Sequence, residues 1–152
     1  MSEKVYVIAD CSAKMTELGK NHLLVYLLIT ACNLLKEYEL FSWNSSVSSL
    51  ESPYLDTKSD FGDRIDTKAL SEFLASLEEN ARVLLLSDGN FSAASIVKGL
   101  KKHRIQLFTL AVGADCSKST LDSLCITKKS FETSDINAAV YAACYGISGG
   151  RV

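Results

Sequence analysis

Two short segments of this 152-residue chain carry residue types that could do chemistry together. Val5-Tyr6-Val7-Ile8-Ala9 is an apolar, partly β-branched run that ends on Asp10, with Ser12 two residues on. Val83-Leu84-Leu85-Leu86 repeats the layout and ends on Ser87-Asp88-Gly89. Apolar runs of this length suit strands covered on both faces. In an open α/β sheet, ligands bind in the crevice beyond the carboxyl ends of such strands. Two aspartates, each beside a serine at that edge, would form an oxygen-rich pocket of the kind a hard cation such as Mg²⁺ prefers.

Those segments resemble signature blocks of the von Willebrand factor A family. The blocks are Asp10-Cys11-Ser12-Ala13-Lys14, Ser87-Asp88-Gly89 and Leu107-Phe108-Thr109-Leu110-Ala111-Val112-Gly113, in that family's order and spacing. The family's metal-ion-dependent adhesion site draws on an aspartate-x-serine-x-serine loop, a threonine from a second loop and an aspartate from a third. The resemblance implies that Asp10, Ser12 and Asp88 match three of these ligands. Lys14 stands where the second serine belongs. In the segment Gly62 to Leu70, ungapped alignment puts Arg64 in the threonine slot, and Thr67 could serve only in a register shifted by three residues. In the ungapped register, Asp66 or Thr67 caps the following helix.

Two converging carboxylates repel each other unless positive charge lies between them. Here Lys14, with Arg64, is the expected source of that charge, since an ammonium or guanidinium would neutralise the aspartates and fill the cation's space. The expectation is therefore a degenerate site: no resident metal, no cofactor, and Mg²⁺ only as an alternative. The competing reading leaves Lys14 in solvent on an ordinary strand–helix connection.

The supporting elements follow from periodicity. Strands are expected at Lys4–Ala9, Tyr38–Trp43, Val47–Leu50, Arg82–Leu86, Ile105–Val112 and Lys129–Glu132, the second and third joined by a hairpin at Asn44-Ser45-Ser46. Helices are expected at Lys20–Glu37, from about Asp66 to Leu77, at Ser92–His103 with Ser92 as N-cap, and at Lys118–Leu124 and Asp135–Tyr145. This alternation specifies an α/β, doubly wound, mostly parallel sheet with right-handed crossovers. The resemblance implies strand order 3-2-1-4-5-6 with one antiparallel edge strand. Residues 1–146 read as one such domain and 147–152 as a flexible tail.

Composition narrows the function. Sixteen Lys plus Arg against eighteen Asp plus Glu leave no concentrated basic face for nucleic acid. Lys98, Lys101, Lys102, His103 and Arg104 read as a solvated helix end. Leu23 to Leu35 is too short for a membrane span. Cys11, Cys32, Cys116, Cys125 and Cys144 form no CxxC pair, and no signal peptide precedes the first strand, so a reduced, cytoplasmic setting is expected. No GxSxG elbow, dinucleotide fingerprint or Walker loop occurs. A non-catalytic module is the reading, docking a protein partner, within a multi-component complex on the family analogy, through a rim of Asp10, Ser12, Lys14, Arg64, Asp88 and Asn90. Phe41, Trp43 and Phe91 are candidate aromatic anchors, each more commonly a core residue. The alternatives are Mg²⁺-dependent adhesion-type binding, or a small hydrolase or phosphotransferase using Asp10.

Overall fold

Strand β1 (Val5–Asp10) is buried along its whole length, and its side chains divide between two cores. Val5, Val7 and Ala9 pack on one face of the sheet, Tyr6 and Ile8 on the other, as the two-residue period of a strand requires. The computed structural model describes residues 4–62 and 64–146, so the expected tail at 147–152 lies outside the described residues.

Among the described residues five strands form one sheet. With β2 (Tyr38–Trp43), β3 (Val47–Leu50), β4 (Arg82–Ser87) and β5 (Gln106–Ala111), the order is β3-β2-β1-β4-β5. β1 pairs in parallel with β2 and β4, β4 pairs in parallel with β5, and only the β2–β3 hairpin is antiparallel. Helices α1 (Lys20–Leu34) and α5 (Ile136–Tyr145) cover one face. On the other, α2 (Thr67–Ala75) packs beside α3 (Ala94–Lys102), and α4 (Lys118–Leu124) lies against β5. No helix among the described residues is long and apolar enough to cross a membrane.

Two expectations are corrected. The sixth strand shrinks to a single parallel bridge between Leu110 and Phe131. The preceding Ser130 is pinned sideways, its amide and hydroxyl both 2.7 Å from Asp122 Oδ1 on α4, so the chain does not run on along β5. Helix α3 begins at Ala94 rather than Ser92, and no side chain caps it. The cap of α2 resolves in favour of Asp66, whose carboxylate accepts from the amides of Lys68 (2.9 Å) and Ala69 (3.4 Å).

Candidate functional site

The parallel register sets Ala9 beside Leu86, so the residues that follow each, Asp10 and Ser87-Asp88, leave the sheet together at its carboxyl edge. Both aspartates are buried, but their surroundings differ.

Asp10 is held by neutral donors. Its Oδ1 accepts from the Ser12 amide at 3.0 Å and its Oδ2 from the Ser87 hydroxyl at 2.6 Å. The Ser87 oxygen in turn accepts from the Gly89 amide at 3.0 Å, which fixes its orientation. Burial pushes the Asp10 carboxyl up to about 6, against the downward pull of Ser87 and Ser12, and the Asp88 charge adds to the rise.

Asp88 is held by a cation. The ammonium of Lys20 lies 2.8 Å from Asp88 Oδ2 and 2.9 Å from Asp115 Oδ2. The other Asp88 oxygen accepts from the Asn90 amide at 3.1 Å. Burial alone would raise the Asp88 carboxyl, but the Lys20 and Asn90 hydrogen bonds outweigh it and hold the group below the usual carboxylate range. Burial would likewise lower Lys20, yet its bonds to Asp88 and Asp115 leave its pKa above the ordinary lysine value.

The backbone explains how Lys20 gets there. After β1 the chain makes a 3₁₀ turn over Ala13–Thr16, then passes through left-handed conformations at Leu18 (φ 55°) and Gly19 (φ 74°) before α1 begins at Lys20. That reversal turns the first side chain of α1 inward. Gly113, at φ 95° after β5, leaves the stem its room, since a Cβ there would come within 2.6 Å of Lys20 Cδ. A cation at a helix N-terminus opposes the helix dipole, so the two carboxylates must compensate for both that and its burial.

A positive charge is present at this edge, but it comes from Lys20 and not from Lys14 or Arg64, and it joins Asp88 to Asp115 while Asp10 is held by neutral donors. Lys14 and Arg64 are exposed and bond neither aspartate. Thr67 does not reach the aspartates either; its hydroxyl accepts from Ser95 Oγ at 2.9 Å and ties α2 to α3. The expected rim divides accordingly. Asp10, Ser12 and Asp88 form a buried frame, inaccessible to a partner because their oxygens are already engaged, while Lys14, Arg64 and Asn90 face solvent. Trp43 is fully buried, with its indole N–H on the Asp66 carbonyl and Phe91 edge-on at 5.1 Å; it is a core residue. Sequence reasoning missed Lys20, Asp115 and Leu18. The signal for Lys20 was a lone lysine opening the most apolar helix.

A divalent cation does not fit this donor set. Both Asp10 oxygens accept hydrogen bonds, and the place beside Asp88 Oδ2 is taken by an ammonium tethered to the chain. An incoming ion would meet a like charge already held by both Asp88 and Asp115. Nor does Cys11 supply a nucleophile. It is fully buried, and burial, with the Asp10 and Asp60 charges, pushes its thiol up to about 12.

Solved structures share this architecture. The chain is similar to an aerotolerance-related membrane protein from Bacteroides fragilis solved with multiple mutations to serines (TM-score 0.69, 9% identity, 95% of this chain and 99% of that one). It is also similar to proximal thread matrix protein 1 from the mussel byssus (0.65, 13%, 93% and 45%). A von Willebrand factor type A structure from Catenulispora acidiphila matches as well (0.62, 9%, 94% and 42%). The chain spans less than half the length of the latter two. No protein-family model and no curated protein matches the sequence. The fold is that of a von Willebrand factor A domain.

Proposed function

We propose that this protein is a non-catalytic docking module that engages a protein partner across the carboxyl edge of its sheet, without a bound metal. The observation that carries the reading is the division of that edge into a buried, internally hydrogen-bonded frame and an exposed rim. The frame of Asp10, Ser12, Ser87, Asp88 and Lys20 hydrogen-bonds to itself and holds the loops after β1 and β4 in place. The rim offers Lys14, Arg64 and Asn90 for polar pairing. The β1–α1 loop also projects Leu18, 81% exposed and in a left-handed conformation that a leucine adopts only when its surroundings impose it. An apolar side chain held out under strain on the same loop as the exposed Lys14 suits a partner with an apolar pocket and acidic groups.

Absence of catalysis is supported by the chemistry of the candidates. Cys11 stays protonated at neutral pH. His22 is exposed on the first turn of α1, and His103 pairs with Glu79 at the far end of α3. Neither hydrogen-bonds Ser12 or Asp10.

Affinity capture from the native host tests the proposal. The Lys14→Glu, Arg64→Glu double variant and Leu18→Ser, each verified as folded, should lose a partner that wild type retains. Retention of every partner by both variants would exclude rim docking. Robust turnover of a phosphorylated or acylated substrate, abolished by Asp10→Asn, would instead establish the enzyme alternative.

A further inference from the structure

We infer that Lys20 is a chain-borne replacement for a divalent cation, and that removing its ammonium converts the Asp88–Asp115 cluster into a divalent-cation site. A lysine with 1% of its side chain exposed is rare unless carboxylates surround it. Here two carboxylate oxygens, from the loops after β4 and β5, lie within 2.9 Å of one nitrogen. That point is where a cation would bridge the two loops. A divalent ion there needs only slightly shorter contacts, about 2.0–2.6 Å for Mg²⁺ or Ca²⁺. Asp115 is 40% exposed on its side chain, so the cluster opens to solvent on one side, giving an ion a path in and water to complete its shell.

The surrounding backbone is built for the lysine. Gly113 leaves space for its methylenes, and the left-handed Leu18–Gly19 pair aims it inward. The Ser117 amide donates to the Asp88 carbonyl at 2.7 Å, and a Cβ on Gly89 would come within 2.6 Å of the Ser117 carbonyl. The two carboxylate-bearing loops are thus locked together by their backbones as well as through Lys20. With the ammonium gone, two negative charges remain in a preorganised, partly closed site with no positive charge between them. Such a pair either binds a cation or raises the pKa of one member.

The inference is independent of the docking proposal, since its readout needs no partner. Calorimetric titration of Mg²⁺, Mn²⁺ and Ca²⁺ into wild type and Lys20→Met is the direct experiment. Wild type should bind none saturably. Lys20→Met should bind at least one of the three with one-to-one stoichiometry, at least tenfold tighter than wild type. That ion should raise the melting temperature of the variant, where Na⁺ at equal ionic strength does not. Adding Asp88→Asn to Lys20→Met should abolish the binding. Lys20→Gln, which removes the charge while keeping a polar end on a shorter side chain, serves where Lys20→Met fails to fold and should show the same gain. Saturable binding by wild type would overturn the inference. So would a folded Lys20→Met or Lys20→Gln that binds no divalent ion, or binding that survives Asp88→Asn.

Discussion

Asp10 and Asp88 lie one at and one just past the end of adjacent parallel strands, and burial raises both carboxyls, yet their net shifts are opposite. Asp10 has hydroxyl and amide donors only, and its carboxyl rises to about 6. Asp88 has an ammonium as well, and its carboxyl falls below the ordinary range. Neutral hydrogen bonds satisfy the geometry of a buried carboxylate but only partly replace its hydration. A full opposite charge within hydrogen-bonding distance does both. The pair shows why one edge of the sheet can tolerate two acids: one is neutralised by a lysine, and the other can take up a proton at mildly acidic pH.

The sharpest way to break the contrast is to remove the lysine. Lys20→Met leaves the buried Asp88 without its counter-charge and should cost about 3–5 kcal/mol in metal-free buffer, measured by denaturant unfolding at neutral pH. Next in size is the effect of Asp10 on pH dependence. Its folded value of about 6 exceeds the ordinary 3.8. Between those pH values the folded chain keeps a proton that the unfolded chain has released, so stability falls as pH rises and stays lowered above 6. Asp10→Asn should flatten that slope and raise stability at neutral pH by up to about 3 kcal/mol. Asp88 slopes the other way. Its depressed folded value means that its contribution is present above 3.8 and lost as pH falls through that folded value, and Asp88→Asn should remove this acid limb. A smaller effect is expected from Gly113→Ala, which combines a strained φ of 95° with a clash against the Lys20 stem. A loss of about 1–3 kcal/mol is expected, with the Asp88 carboxyl shifted upward in a carbon-detected NMR titration. Lys14→Ala, by contrast, should change stability by less than about 0.5 kcal/mol and leave both titrations unmoved.

Much of this organisation was legible in the residues. The apolar runs at Val5–Ala9 and Val83–Leu86 predicted buried parallel strands, and the alternation of strands and helices predicted the doubly wound sheet. The spans of β2, β3 and α4 coincide with those read from periodicity. The expected sixth strand failed because a strand signal four residues long competes with local side-chain bonds, here those of Asp122 to Ser130. The N-terminus of α3 was misplaced because a serine was read as a cap that the folded chain does not use.

The site divides along the same line. From sequence alone came the two strand-end aspartates, their serines and the expectation of a positive charge between them, which the fold instead sets between Asp88 and Asp115. Which residue supplies that charge was decided by tertiary structure. Lys14 is near Asp10 along the chain, but the 3₁₀ turn at Ala13–Thr16 leaves it in solvent. Lys20 is 68 residues from Asp88 and 95 from Asp115, and it meets them only after two left-handed residues and a glycine on another loop make room. Local spacing fixes what a loop can hold, whereas a buried ion pair depends on three strand ends arriving together, and that is settled only when the sheet forms.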